Sequence, residues 1–426
     1  MRKIPPSGIN LFQLIYQLIR EYEGGTRHAL NLSLGNPDMI VPAEVRALKK
    51  KFADGSDYDL STYAEDKNLN QFAEGMVEAF SGVRLADHSH LRVLPTAGIK
   101  TASALLPLAC GMHLKGRENF RVVTHLPAYD IMGTWSEPYL GGKRIVWPLL
   151  SKHQMKLHLG SLKTALDEAK CEKPDLIFVI RPGNPASVGA SKEEWKELIE
   201  FCQSRGIRLA NDGAYATLGN EGSHTSLSFV AKDYPDLEWV ELFSMSKALS
   251  DPGQRLGVIV GSKDFIEDWN LIKGNTDSGP VPLGMYAYGE LFKDRAATKK
   301  LLRETSDTYQ KRLDFLIPTL KKAGFTPACE TTAGFFTLWK TPNFAFGEDI
   351  VAEAKREGRP QAEIFNRKVI TRTGLVGVHF TGHSMNAANS QADPEHFIRY
   401  AACLDLLDTK VQERLQSIVT EMKPGY

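Results

Sequence analysis

The sequence predicts an α/β protein with a large domain, built on a mostly parallel sheet covered by helices, and a smaller α+β domain. Three observations support this fold class. The chain has 426 residues, more than a single core usually holds. Short apolar runs alternate with longer amphipathic stretches between about residue 90 and residue 262, and a long helical pattern follows after residue 300. We therefore expect an N-terminal segment, 1–50, that joins the small domain, a large domain, 51–300, and a small C-terminal domain, 301–426.

The apolar runs have the composition of strands that are buried on both faces. They are rich in Val, Ile, Leu and Phe without strict polar alternation, and they read "FRVVTHL", "DLIFVI", "GIRLAND", "WVELFSM" and "RLGVIVG". Between the second and third runs, "SKEEWKELIEFCQSRG" offers a Ser N-cap, Glu residues in the first turn and a closing Gly. This β-α-β order predicts parallel strands, whose carboxyl ends gather ligands. In the last part of the chain, "LLRETSDTYQKRLDFLIPTLKKAG" predicts a long helix and "AGFFTLWK" a strand.

Charge and cysteine usage exclude several function classes. Lys plus Arg number 52 and Asp plus Glu 51, a balance that gives no reason to expect binding to nucleic acid or to an anionic membrane. No run reaches the roughly 18 apolar residues of a membrane helix. The five cysteines are scattered, without metal-ligand spacing, so we expect no metal site and a reduced, cytoplasmic compartment. No G-x-G-x-x-G occurs, which argues against a nicotinamide dehydrogenase.

One lysine stands in an unusual setting, "ELFSMSKALSDPGQRLGVIVG". Lys247 ends an apolar run and faces a loop of small and helix-breaking residues. A lysine that is desolvated or lies beside other cations loses affinity for its proton and becomes a nucleophile able to form a Schiff base. Arg255 can offer a bidentate fork to a phosphate, and Ser244 and Ser246 can donate hydroxyl hydrogen bonds to it.

This stretch resembles the lysine motif of the fold type I pyridoxal-phosphate enzymes, within them the class I/II aminotransferases. The motif has the form S-x-S-K, with Gly at plus six, Arg at plus eight and Gly at plus ten, here Ser244, Ser246, Lys247, Gly253, Arg255 and Gly257. The resemblance implies pyridoxal 5'-phosphate as cofactor and Lys247 as the residue that binds it.

Two upstream segments are similar to the family's ring-binding motifs. "LANDGAYATL" has the D-x-x-Y spacing, which implies that Asp212 pairs with the pyridine nitrogen and that Tyr215 donates to the ring oxygen. "RPGNPASVG" resembles N-P-x-N-P-T-G and implies that Asn184 contacts the ring oxygen and the substrate carboxylate. Three positions depart from that pattern, Arg181, Ala186 and Ser187, and they concern the geometry of the loop rather than the contacting asparagine.

Other segments resemble the phosphate loop and the stacking aromatic. "LPTAGIKTASALL" predicts a turn that opens a helix, where backbone N–H groups favour an anion. The resemblance assigns Gly98, Ile99 and Lys100 to the cofactor phosphate. In "HLPAYD", it assigns Tyr129 to the face of the ring, although a core aromatic is the alternative from the residues alone.

The remaining matches concern the substrate and the second subunit. "LNLSLGNPD" implies that Gly35 brings backbone close to the substrate. "DLSTYAEDKNLNQF" matches Tyr63 to a tyrosine that reaches the phosphate of the neighbouring subunit, which implies a homodimer with shared sites. "HFIRYAACL" supplies Arg399 for the substrate carboxylate, either on a strand or exposed on an amphipathic helix.

The implied function is a ping-pong, Schiff-base transamination between an amino acid and a 2-oxo acid, with Lys247, Asp212 and Tyr215 as the catalytic residues. A lyase or synthase of the same fold, also acting on an amino acid, would share every cofactor residue and stays open. The stretch "GVHFTGHSMNAANSQAD", 377–393, is predicted to be a loop, with a specific pocket around His379, His383 and Asn386 as the alternative.

Overall fold

The computed structural model describes residues 11–23, 28–55, 66–381 and 395–426. The helices are α1 Leu11–Glu23, α2 Ala43–Ala53, α3 Asp66–Ser81, α4 Ile99–Ala109, α5 Met112–Lys115, α6 Ile131–Thr134, α7 Leu159–Glu168, α8 Lys192–Gln203, α9 Leu227–Ala231, α10 Met245–Ala248, α11 Lys263–Lys273, α12 Pro282–Lys293, α13 Arg295–Lys322, α14 Ile350–Glu357, α15 Gln361–Thr373 and α16 Thr409–Met422.

The strands alternate with these helices over most of the described chain. They are β1 Leu30–Asn31, β2 Leu91–Thr96, β3 Arg121–Leu126, β4 Lys143–Pro148, β5 Leu176–Ile180, β6 Arg208–Asp212, β7 Trp239–Ser244, β8 Gly257–Ser262, β9 Phe336–Lys340, β10 Phe344–Ala345, β11 Glu348–Asp349, β12 Leu375–Val376, β13 Val378–Thr381 and β14 His396–Ala401.

A large, mostly parallel sheet carries the site. Within the described residues it has seven strands in the order β2-β8-β7-β6-β5-β3-β4. Strands β4, β3, β5, β6 and β7 pair in parallel, whereas β8 is antiparallel to both β7 and β2. The carboxyl ends of β2, β3, β5, β6 and β7 therefore meet at one edge, together with the amino end of β8.

Both faces of the large sheet are covered, as the apolar runs predict. On β5 the adjacent residues Ile177 and Phe178 enter two different hydrophobic clusters, one on each side of the sheet. Helix α8, which follows β5, begins with a capping box in which the Ser191 hydroxyl accepts from the Glu194 N–H and the Glu194 carboxylate accepts from the Ser191 N–H. The fold class predicted from the sequence is confirmed.

A second, antiparallel sheet has the order β13-β14-β9 in the described part of the chain. Leu338 of β9 faces Arg399 of β14, so the stretch around Arg399 is a strand and the helical alternative is wrong. The loop prediction for 377–393 is wrong for Val378–Thr381, which form β13 beside β14. Residues 382–394, with His383 and Asn386, lie outside the described residues.

The N-terminal part contacts this second unit. Strand β1 pairs in parallel with β12, and helix α1 packs against α15. Helix α2, in contrast, packs against α12. The division at residues 50 and 300 stays a prediction. No helix in the ranges described is long and apolar enough to cross a membrane.

Candidate active site

The residues predicted from scattered motifs line one cavity of about 690 Å³. It lies at the edge of the large sheet where the carboxyl ends of its strands converge. The predicted residues that line it are Gly35, Ile99, Lys100, Tyr129, Asn184, Asp212, Tyr215, Ser244, Ser246, Lys247, Arg255 and Arg399. Gly98 lies directly beside it, and Tyr63 lies outside the described residues.

Lys247 follows β7 on the short helix α10 and points into the cavity. Its amine donates a hydrogen bond to the backbone carbonyl of Gly35. Burial lowers the pKa of Lys247 from 10.5 to about 8, and the positive charges of Arg399 and Arg255 act in the same direction. Near neutral pH this amine therefore releases its proton far more readily than a surface lysine, which a nucleophile and proton carrier requires.

Asp212 ends strand β6 and offers a carboxylate to the cavity. Its Oδ1 accepts from the backbone N–H of Ala214 at 3.0 Å. Burial raises the pKa of Asp212 from 3.8 to about 6, and the hydrogen bond from Ala214 only partly opposes the rise. A cationic or N–H partner in the cavity would stabilise this carboxylate.

A buried arginine comes from the second sheet. Arg399 is 2% exposed, and its guanidinium donates to Asn184 Oδ1 at 2.7 Å and to the Ser33 carbonyl. It lies 4.2 Å from the ring centroid of Phe336. Burial lowers the pKa of Arg399 to about 10, so the group stays charged at neutral pH. Such a buried cation with a planar fork is suited to a carboxylate.

Asn184 connects the two sheets around the cavity. Its side-chain Nδ2 donates to the Tyr215 hydroxyl at 3.3 Å, and its backbone carbonyl accepts from the Tyr129 backbone N–H at 2.9 Å. Burial raises the pKa of Tyr215, which therefore stays a neutral hydroxyl. The amino group of Lys100 lies 5.5 Å from the Tyr129 ring centroid. Side chains from both sheets thus converge on one space.

Two of the three departures in the 181–189 loop, Arg181 and Ser187, have structural consequences. Arg181 is fully buried and donates to the carbonyls of Val188 at 3.1 Å and Met155 at 2.6 Å. Ser187 has φ +50°, and its hydroxyl accepts from the N–H of Phe336, the first residue of strand β9, at 2.9 Å. Neither side chain is among those that line the cavity. These residues brace the loop that carries Asn184.

A phosphate-bearing cofactor fits one end of the cavity. Gly98 has φ +78°, and a Cβ there would lie 2.1 Å from Nη2 of Arg255, so only glycine lets this guanidinium lie against the first turn of α4. Lys100 on the same turn and the hydroxyls of Ser244 and Ser246 line the same space. Two cations, two hydroxyls and a helix N-terminus form a donor set suited to phosphate.

Motif reasoning missed several lining residues. They are Tyr16, Leu34, Asn36, Ile131, Ile180, Ala214 and Pro252. Most of them adjoin motif residues and could have been found as their neighbours. Tyr16 could not, because it reaches the cavity from α1 only after the chain has folded back onto α15.

Comparison with known proteins identifies the family. The sequence pattern described as aminotransferase class I and II matches residues 27–382, most of the chain. The chain belongs to the aminotransferase class I and II family. An LL-diaminopimelate aminotransferase of Syntrophobacter fumaroxidans is 26% identical over 99% of this chain and 97% of the relative. One of Halothermothrix orenii is 32% identical over 68% of this chain and 66% of the relative.

Solved structures of this family share the fold. An aspartate aminotransferase double mutant of Thermus thermophilus superposes with a TM-score of 0.76 at 16% identity, covering 98% of this chain and 100% of that one. The N-succinyldiaminopimelate aminotransferase of Mycobacterium tuberculosis gives 0.75 at 18% identity, covering 98% and 99%. The family match and the named relatives show that the protein is an aminotransferase. None of the relatives and structures given above is named as a lyase or synthase.

Proposed function

We propose that this aminotransferase uses pyridoxal 5'-phosphate and that its amino donor is LL-diaminopimelate or a closely related diamino acid. The observation that carries the proposal is the convergence of Lys247, Asp212 and Arg399 on one cavity. Relatives named LL-diaminopimelate aminotransferase, which match nearly the whole chain in one case, support the choice of donor.

The lining residues divide between the parts of the cofactor. Bound cofactor supplies an aldehyde and a ring that withdraws electrons from the substrate's α-carbon. The residues proposed to hold it are Gly98, Ile99, Lys100, Ser244, Ser246 and Arg255 for the phosphate, Asp212 for the pyridine nitrogen, Tyr129 for the ring face, and Asn184 and Tyr215 for the ring oxygen. Lys247 lies among all of them.

The chain's own residues also bind the substrate and move its proton. Arg399 and Asn184 hold the α-carboxylate, which fixes the orientation of the α-carbon. Gly35 lies against this space with backbone alone, because a Cβ there would lie 2.6 Å from the ring of Phe336. The Lys247 amine, with its pKa of about 8, takes the α-proton and returns it at neutral pH.

Three further statements belong to the same proposal. The site is completed in a homodimer, with Tyr63 reaching the phosphate in the neighbouring subunit. The domain boundaries are those expected from the sequence, at residues 50 and 300. The location is cytoplasmic, which the five free cysteines support.

Visible absorbance of the purified protein tests the proposal. After pyridoxal 5'-phosphate is added, a yellow band should form and bleach with LL-diaminopimelate but only slowly with aspartate, lysine or tyrosine. A 2-oxo acid should restore it. Lys247→Ala is the control and should not turn over. Bleaching by another donor would refute the choice of substrate, and release of ammonia in place of amino transfer would indicate a lyase.

A further inference from the structure

The loop between Lys247 and Arg255 determines where both cavity residues lie. It contains a short 3₁₀ turn, Pro252–Gln254. Ser250 and Arg255 have φ of +56° and +53°, in the left-handed region that residues with a side chain seldom adopt. Backbone of this kind persists only where surrounding contacts hold it. The loop therefore needs an anchor outside the cavity.

A buried carboxylate in the middle of the loop provides such an anchor. Asp251 is 6% exposed, and its Oδ2 accepts a hydrogen bond from the Tyr288 hydroxyl at 2.7 Å. The same oxygen forms an ion pair with the amino group of Lys49. Tyr288 lies fully buried on α12 and Lys49 lies on α2, two helices that pack together. Asp251 thus ties the loop to both helices.

The charges of Lys49 and Asp251 stabilise each other in a place that water hardly reaches. The side chain of Lys49 is 18% exposed and that of Asp251 is 8% exposed, so both are largely withdrawn from water. Removing one member of such a pair leaves an uncompensated charge in a poorly solvated place. Because the loop is short, its displacement at Asp251 would move Lys247 and Arg255 at its two ends.

We propose that Asp251, held by Lys49 and Tyr288, is a positioning residue for transamination: it fixes the loop so that Lys247 and Arg255 face the cavity together. Asp251 does not line the cavity, so its effect passes through those two side chains. The inference rests on the proposed function, because it takes the cofactor phosphate as the ligand of Arg255. A cluster that served stability alone would leave cofactor affinity unchanged.

Affinity for pyridoxal 5'-phosphate, measured by absorbance titration of cofactor-free protein, tests this proposal. Asp251→Asn, Lys49→Met and Tyr288→Phe should each weaken binding about tenfold, the size expected when a group that orients a ligating side chain is lost. The Asp251→Asn/Lys49→Met double variant should lose less than the product of the two single effects, because the two residues act as one pair.

A matched control separates positioning from stability. Lys115 forms an ion pair with Asp175 at 2.7 Å, away from the cavity. Lys115→Met should leave the affinity unchanged, whatever it does to the melting temperature. Tyr288→Phe removes one hydroxyl and decides the question if Asp251→Asn does not fold.

The outcomes separate this inference from the proposed function. Folded variants that bind pyridoxal 5'-phosphate within twofold of the wild-type affinity would overturn the positioning role and leave the proposed function intact. Wild-type protein that forms no visible band with the cofactor would overturn both. Weaker binding in the three variants, with the control unchanged, is the expected result.

Discussion

The amine of Lys247 should titrate far below the range of a surface lysine. Its pKa is lowered from 10.5 to about 8 by burial first and by the cations Arg399, Arg255 and Lys100 next. This lowering of the pKa corresponds to about 3 kcal/mol. At pH 7 roughly one amine in ten is then neutral, compared with about one in three thousand for an unperturbed lysine.

Labelling of cofactor-free protein measures this titration directly. A limiting amine-reactive reagent is applied across a pH series, and the modified lysines are mapped by mass spectrometry. The rate for Lys247 should reach half its maximum near pH 8, while exposed Lys163 in the same digest reports the reagent's own reactivity. Arg399→Gln and Arg255→Gln should each raise the midpoint. A midpoint near 10.5, or one that neither variant moves, would refute the electrostatic reasoning.

Three further predictions concern other parts of the site. Asp212→Asn should stabilise cofactor-free protein above pH 6 by about 1–3 kcal/mol. The folded-state pKa of Asp212 is raised, so wild-type stability falls as pH rises from about 4 to about 6, and the two proteins should differ least below pH 4 in denaturant titrations. Gly98→Ala should displace Arg255 and weaken pyridoxal 5'-phosphate binding about tenfold. Arg399→Gln should raise the KM of the amino donor about 10- to 100-fold, since a charge-assisted hydrogen bond is lost, with the visible band retained.

Each of these three predictions has either a control variant or an outcome that would contradict it. A pH-independent stability difference for Asp212→Asn would show that packing, not ionisation, is responsible. Gly111→Ala is matched to Gly98→Ala, because Gly111 has φ +77° but open space around its would-be Cβ. It should show the backbone cost alone and bind the cofactor normally. A kcat loss with unchanged KM for Arg399→Gln would contradict its role in substrate binding.

The central strands of the large sheet could be predicted from the sequence, whereas its two outermost strands could not. The five apolar runs became β3, β5, β6, β7 and β8. Strands β2 and β4 were missed because they lie at the two ends of the sheet, and edge strands need no continuous apolar run. Pro95 in β2 and Pro148 in β4 also interrupt the strand pattern. Proline is tolerated there because an outermost strand leaves one row of backbone N–H groups unpaired.

The same distinction applies to the site. Most motif residues were predictable because they lie at or just after the carboxyl ends of strands in the large sheet, and the sheet brings those strand ends together. Contacts that depend on how helices pack were not predictable. Tyr16 and the ion pair of Lys49 with Asp251 are of this kind. The sequence around Tyr16 shows only an amphipathic helix, and the sequence around Lys49 only a basic run. Tertiary packing brings these side chains together from distant parts of the chain. A contact of this kind leaves no periodic pattern in a single sequence.

The charges of the cavity link phosphate binding to the reactivity of the amine. Among the described residues that line it, the cations of Lys100, Arg255, Lys247 and Arg399 face one carboxylate, that of Asp212. In cofactor-free protein the neighbouring cations help to lower the pKa of the Lys247 amine. A dianion bound between Lys100 and Arg255 would offset part of that repulsion. Inorganic phosphate is therefore expected to raise the labelling midpoint of Lys247, and chloride at equal ionic strength should raise it less. An unchanged midpoint at saturating phosphate would mean that burial alone controls this amine.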